Sequence, residues 1–88
     1  ASGRLTVIAI QAPDQLGILH AITRTLSEEG LVIHLSRVAT EAGRVIDNFY
    51  VSEGASGGKV TGEDRLAAIR ARITAAIEAL LPDKTRFR

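Results

Sequence analysis

The chain of 88 residues contains no cysteine, which excludes a disulfide framework and a thiolate-bound metal. An excess of charge of one sign is almost absent: 11 Lys and Arg against 10 Asp and Glu leave a net charge of +1. That is too little to build the field that gathers nucleic acid. The basic residues Lys84, Arg86 and Arg88 form a local cluster that reads as a solvated tail. A helix needs about 20 consecutive apolar residues to cross a bilayer, and the longest apolar runs here are a few residues, so no membrane partner is expected. No signal-peptide pattern opens the sequence, and the cytoplasm is the simplest compartment.

What remains, 45% hydrophobic and 24% charged, is the composition of a globular protein. The length suits one domain spanning residues 1–88, with Ala1-Ser2-Gly3 reading as a cloning remnant and residues 83–88 as a tail. A domain of this size buries only roughly 60 to 65% of the surface its unfolded chain exposes. A partner to pack against is therefore expected.

Residues 4–11 (R-L-T-V-I-A-I-Q) are rich in β-branched side chains and end at Ala12-Pro13-Asp14, the pattern of a strand. Leu5, Val7 and Ala9 share one face and Ile8 and Ile10 the other, so the strand should be central or covered on both sides. Residues 17–29 place Ile18, Leu19, Ile22 and Leu26 at helical spacing. Asp14 is positioned to accept a bond from the first turn of this helix, and Gly30 to end it in the left-handed conformation.

Residues 31–40 form a second strand with Ile33 and Leu35 in one phase and Val38 and Thr40 in the other, which a bulge near Ser36-Arg37 would reconcile. Glu41-Ala42-Gly43-Arg44 then turns into a third strand over residues 45–52. Residues 54–62, with four glycines and no periodicity, read as a mobile loop. Thr61 and Asp64 have the spacing of a capping box, and Leu66, Ile69, Ile73, Ile77 and Leu80 give a second amphipathic helix that Leu81-Pro82 stops.

The order β-α-β-β-α, with a right-handed crossover and then a hairpin, places the third strand between the first two and both helices on one face. This is an α+β, ferredoxin-like sandwich with an antiparallel sheet, lacking the usual fourth strand. The first strand is left with a bare apolar edge that should recruit a second copy or a neighbouring domain.

Asp14-Gln15-Leu16-Gly17-Ile18-Leu19 resembles the Asp-x-x-Gly-hydrophobic-Leu signature of ACT domains, with Leu16 where many members carry proline. The resemblance continues through Glu29-Gly30-Leu31-Val32-Ile33-His34, Ala39-Thr40-Glu41-Ala42-Gly43-Arg44, Asp47-Asn48-Phe49-Tyr50-Val51, Gly58-Lys59-Val60-Thr61 and Asp64-Arg65-Leu66. Within that family the chain is most similar to the C-terminal ACT domains of the uridylyltransferase/uridylyl-removing enzyme acting on nitrogen regulatory protein PII, which also halt after the second helix. The resemblance implies a regulatory domain without catalysis of its own, sensing an amino acid, glutamine, and controlling activity elsewhere in a longer polypeptide. A ligand-free ACT domain that braces or dimerises, and a free-standing ACT-repeat protein that binds amino acids, share much of the pattern.

A free amino acid needs donors for its carboxylate and acceptors for its ammonium group. The start of the first helix offers unpaired N–H groups at Gly17, Ile18 and Leu19, and glycine at 17 permits close approach. Asp14 on the same turn, flanking Gln15 and Leu16, reads either as a cap or as an acceptor for the ammonium. His34 reads either as a surface histidine or as a ligand contact at an interface. His20 falls off the apolar stripe and reads as solvated. Asp47, an acid on an apolar face, reads as a hydrogen-bonded residue near the hairpin end or as a polar contact between domains.

Two histidines without a third ligand do not make a metal site, and no cofactor is expected. Ser27, Ser36, Ser52 and Ser56 lack the spacing of a nucleophile with its base, and the glycines between 54 and 62 do not match a phosphate-binding loop. RNA-binding sheets need stacked aromatics, and only Tyr50 is available on the open face. A metallochaperone of the same fold needs a Cys-x-x-Cys turn.

Overall fold

A computed structural model describes residues 5–12, 17–42 and 44–80. The elements are β1 (Thr6–Gln11), α1 (Ile18–Glu28), β2 (Leu31–Glu41), β3 (Arg44–Glu53) and α2 (Glu63–Glu78). The sheet order is β1-β3-β2, antiparallel throughout, the ferredoxin-like arrangement expected from the sequence. Leu81-Pro82 and residues 83–88 lie outside the described residues. α2 ends at Glu78, with Ala79 as its C-terminal cap.

Paired residues of neighbouring strands share a face, so the register sorts the sheet. Ile8 opposite Phe49 and Ile33 opposite Val51 point toward the helices, where Phe49 and Val51 are fully buried. Ile18, Ile22 and Leu26 of α1 and Ile69 and Ile73 of α2 close over them in one cluster that also takes in Ile10, Leu31 and Val60. The opposite face carries Val7 opposite Tyr50, Leu35 opposite Tyr50 from the other side, and Val32 opposite Ser52.

This corrects the expectation that β1 is central or covered on both faces. It is an edge strand, and Val7 is 52% exposed. Its second apolar face belongs to a largely uncovered sheet surface that includes Val32 and Leu35.

The bulge also falls elsewhere than expected. The register slips between Ile33 and Leu35, which makes His34 the extra residue and leaves Ser36 opposite Phe49. Leu35, expected in phase with Ile33, lies on the open face instead, so the change of phase comes two residues earlier than the pattern of apolar residues suggests.

The capping box at Thr61 and Asp64 does not form. Gly62, with φ 91°, is the N-cap of α2, and no side chain caps it. Glu63 and Asp64 occupy the first turn instead, where carboxylates oppose the positive end of the helix dipole. Residues 54–62, expected to be mobile, are tied down at several points. Gly54 N–H donates to the Gly30 carbonyl (2.8 Å), Glu53 N–H to the Gly58 carbonyl (2.8 Å), and Val60 N–H to the Thr6 hydroxyl (2.9 Å). At Gly54 a Cβ would come within 2.7 Å of the Gly30 carbonyl oxygen, so glycine there is a steric requirement. Gly30, with φ 80°, ends α1 as expected.

The ends of α1 and β3 and the start of α2 meet at Arg65. Its guanidinium holds both carboxylate oxygens of Glu53 (3.1 and 3.0 Å), one of Glu29 (3.2 Å), and the Glu29 backbone carbonyl. That last bond satisfies a carbonyl which the end of α1 would leave without a partner. Arg72 reaches the other oxygen of Glu29 (3.0 Å).

Hydrogen bonding from Arg65 holds the Glu53 carboxyl below its ordinary 4.5, with the Arg65 charge adding to the effect, and Glu53 in turn raises Arg65. A carboxyl with a lowered folded-state pKa contributes stability above its unfolded value and loses it as pH falls through the folded one. Stability is therefore expected to drop as pH falls below 4.5, and Arg65→Met should flatten that limb while lowering the plateau, as read by denaturant midpoints across pH. At the hairpin turn, Ala42 holds φ 53°, a conformation that costs a residue with a Cβ about 1–2 kcal/mol. Ala42→Asn is expected to raise the unfolding free energy by about 0.5–1 kcal/mol, measurable by urea titration.

Candidate functional site

The N-cap of α1, Gly17, sits in the left-handed region at φ 89°, ψ −13°, no side chain among the described residues caps the turn, and no acidic residue lies in the first turn. The Gly17 carbonyl accepts the first helical bond, from Ala21 N–H (2.9 Å). The N–H groups of the opening turn have no partner within the helix and sit at the positive end of its dipole. Gly17 and Leu19 are exposed while Ile18 is anchored in the core. Leu80, just past α2, stands 3.7 Å from where a Cβ on Gly17 would be, so it forms one wall of the turn.

Asp14, Gln15 and Leu16, the other expected contacts on this turn, lie outside the described residues, as does any capping bond from Asp14. His34 is placed apart from Gly17. α1 ends beside Leu31, which pairs with Glu53. A helix of 11 residues spans roughly 16 Å at 1.5 Å per residue, so its start lies toward the other end of the sheet. His34 stays near the Glu53 end, on the open face, where its Nε2 shares a 2.7 Å hydrogen bond with the Ser52 hydroxyl. One chain therefore does not bring His34 and the glycine turn together. His20 is exposed, as expected.

Asp47 lies opposite Ile10 on one side and Val38 on the other, on the helix-facing side of the sheet. It is half-buried, and its carboxylate has no hydrogen bond or ion pair among the described residues. The hydrogen-bonded role expected for it is thus not seen there. Ile10 and Ile18 share the core cluster, which puts this acceptor on the same side of the sheet as the start of α1. That Leu80 walls the glycine turn is not legible from residue order, because the contact depends on how the two helices cross.

Among the described residues no group of three or more His, Asp or Glu side chains is arranged to hold a metal ion. No helix among them is long and apolar enough to cross a membrane.

The bifunctional uridylyltransferase/uridylyl-removing enzyme of Rhodospirillum rubrum is 40% identical over 84 residues, which is 96% of this chain and 9% of that protein. The same enzyme of Novosphingobium aromaticivorans is 38% identical over 78 residues, 89% of this chain and 8% of the relative. That of Zymomonas mobilis is 40% identical over 79 residues, 90% of this chain and 8% of the relative. Nearly the whole chain is similar to one small segment of that enzyme. The chain spans under a tenth of the length of these relatives. No family model and no solved structure matches it.

Asp47 is half-buried opposite the apolar Ile10 and Val38 and has no hydrogen bond or ion pair among the described residues, so an apolar side chain suits the position. Asp47→Val is expected to raise the unfolding free energy by about 0.5–1 kcal/mol, checked by chemical denaturation.

Proposed function

We propose that this chain is a non-catalytic regulatory domain of the ACT type, belonging to a cytoplasmic uridylyltransferase/uridylyl-removing enzyme that acts on the PII protein, and that it senses glutamine. The observation that carries the reading is the opening of α1 at a left-handed Gly17, with no acid in the first turn and no side-chain cap among the described residues. Such a turn holds a carboxylate through backbone N–H groups and the helix dipole. Asp14 supplies an acceptor for the ammonium group, and the unpartnered Asp47 adds negative charge on the same side of the sheet. The similarity to a segment of the uridylyltransferase/uridylyl-removing enzymes supports placing the domain in such a parent.

A sensor of a metabolite at millimolar levels needs only about −4 kcal/mol of binding free energy. A coupling of about 1–3 kcal/mol is enough to shift a distant equilibrium between two activities. A few backbone hydrogen bonds suffice for both.

A second reading, a domain that binds nothing and braces its neighbours, is favoured by one observation: Val7, Val32 and Leu35 stand exposed on a single sheet face.

The two readings separate by titrating glutamine into the isotopically labelled chain and following amide shifts. Sensing predicts saturable movement of Gly17, Ile18 and Leu19, abolished in Gly17→Asp, whose carboxylate would repel the ligand. No movement of these amides at saturating glutamine, in the chain or in the intact parent protein, would sink the sensing role.

A further inference from the structure

β2 is an edge strand whose two halves are held differently. Leu31 and Ile33 pack with the core, whereas from His34 to Glu41 no residue is buried. In this second half neither face is apolar: Ser36, Val38 and Thr40 lie on the helix side, and Leu35, Arg37 and Ala39 on the open side. A register is firmly set only where one face of a strand is buried. The half beyond His34 lacks that restraint.

Three residues there are poorly matched to their places. Ala42, in the two-residue turn between Glu41 and Arg44, holds φ 53°, a left-handed conformation that suits glycine or asparagine. Asp47 stands opposite Val38 with no hydrogen bond or ion pair among the described residues. Leu35 is 46% exposed and Val38 64%.

One shift relieves all three. Ahead of the bulge, Leu31, Val32 and Ile33 pair with Glu53, Ser52 and Val51. Carrying that count onward, without an extra residue, pairs His34 with Tyr50, Leu35 with Phe49, Arg37 with Asp47 and Val38 with Ile46. Leu35 then replaces Ser36 beside the buried Phe49, Arg37 gives Asp47 a cation, and Val38 passes to the open face. The turn lengthens to Glu41-Ala42-Gly43, a three-residue loop whose last position takes a left-handed residue, so Ala42 sheds its strain. Seven residue pairs follow Ile33 in either register, and the ladder bonds do not choose between them. β3 keeps both its faces and its pairing with β1.

We infer that the outer half of β2 exchanges between these two registers, the bulge passing from His34 to the turn, and that the exchange decides whether the Asp47 carboxylate is free or paired with Arg37. The register with the bulge at His34 has its own support, the 2.7 Å bond between His34 Nε2 and the Ser52 hydroxyl, at the point where the count changes. The exchange needs no ligand and no residue of the Gly17 turn, so it is independent of the glutamine reading.

The test is relaxation dispersion and chemical-exchange saturation transfer on the isotopically labelled 88-residue chain, which detect a sparse second state directly. A minor state populated to roughly 0.1–10% is expected, confined to residues 34–47. Its Ala42 carbon shifts should move from left-handed to right-handed helical values, and its Leu35 methyls should feel the Phe49 ring. Ala42→Asn, which suits the two-residue turn ahead of Gly43, should remove this state. Deletion of His34, which makes the pairing of residues 35–41 continuous with that of 31–33, should do the same. Arg37→Glu places like charges opposite each other only in the shifted register and should lower its population about tenfold. Circular dichroism confirms that each variant folds.

A single register throughout, whichever it is, overturns the inference. So does a minor state that persists unchanged in Ala42→Asn and in the His34 deletion, which would assign the motion to fraying of the hairpin end. A minor state indifferent to Arg37→Glu overturns it equally, because Arg37 and Asp47 then do not meet.

Discussion

β3 is paired along both edges, to β1 and to β2, and every other placement in the molecule follows from its register. The positions at which it faces the helices, Phe49 and Val51, are fully buried between β1, β2 and both helices. A slip of one residue would exchange these for Asn48 and Tyr50 and turn the core side polar. The strand therefore tolerates no sliding. The single irregularity in the sheet, the extra residue His34, sits on β2, where it costs least: on a strand with a free outer edge.

The two ends of the helical layer are built differently. At the end where α1 stops, Arg65 gathers the carboxylates of Glu53 and Glu29 and the last carbonyl of the helix, with Arg72 reinforcing from the next turns. At the other end, α1 starts on a glycine with no acid in its first turn and no side-chain cap among the described residues. The end of α1 is thus tied by side chains, whereas its start rests on backbone conformation alone among the described residues.

The elements were legible in the sequence where one periodicity dominated. Of the stripe Ile18, Leu19, Ile22 and Leu26 on α1, all but the exposed Leu19 are buried, and Gly30 marked the helix end, because a helical stripe and a left-handed stop leave little room for a second reading. Legibility failed where a local pattern competed with a tertiary one. Leu35 read as sharing a face with Ile33, yet the bulge at His34 turns it to an open face that is itself apolar. Thr61 and Asp64 had the spacing of a cap, but Gly62 takes the capping position through its backbone alone. Residues 54–62 looked loose because they lack periodicity, whereas their order comes from hydrogen bonds to Gly30 and Thr6 far away in sequence. Of the candidate site, the glycine at the helix start could be read directly, since its backbone conformation is its function. The contribution of Leu80, and the separation of His34 from the turn, required the packing to be known.

The crossing of the chain at Gly54 and Gly30 fixes where this domain can vary in length. An insertion at either glycine would pry β2 from β3 where the start of one pairs with the end of the other. Beyond the crossing, the exposed tip at Ala55 and Ser56 is closed by the bond from Gly57 N–H to the Glu53 carbonyl (2.8 Å) and touches neither helix nor sheet core. Extra residues, or a grafted reporter, would be absorbed there as an extension of the tip, with the register of the sheet unaffected.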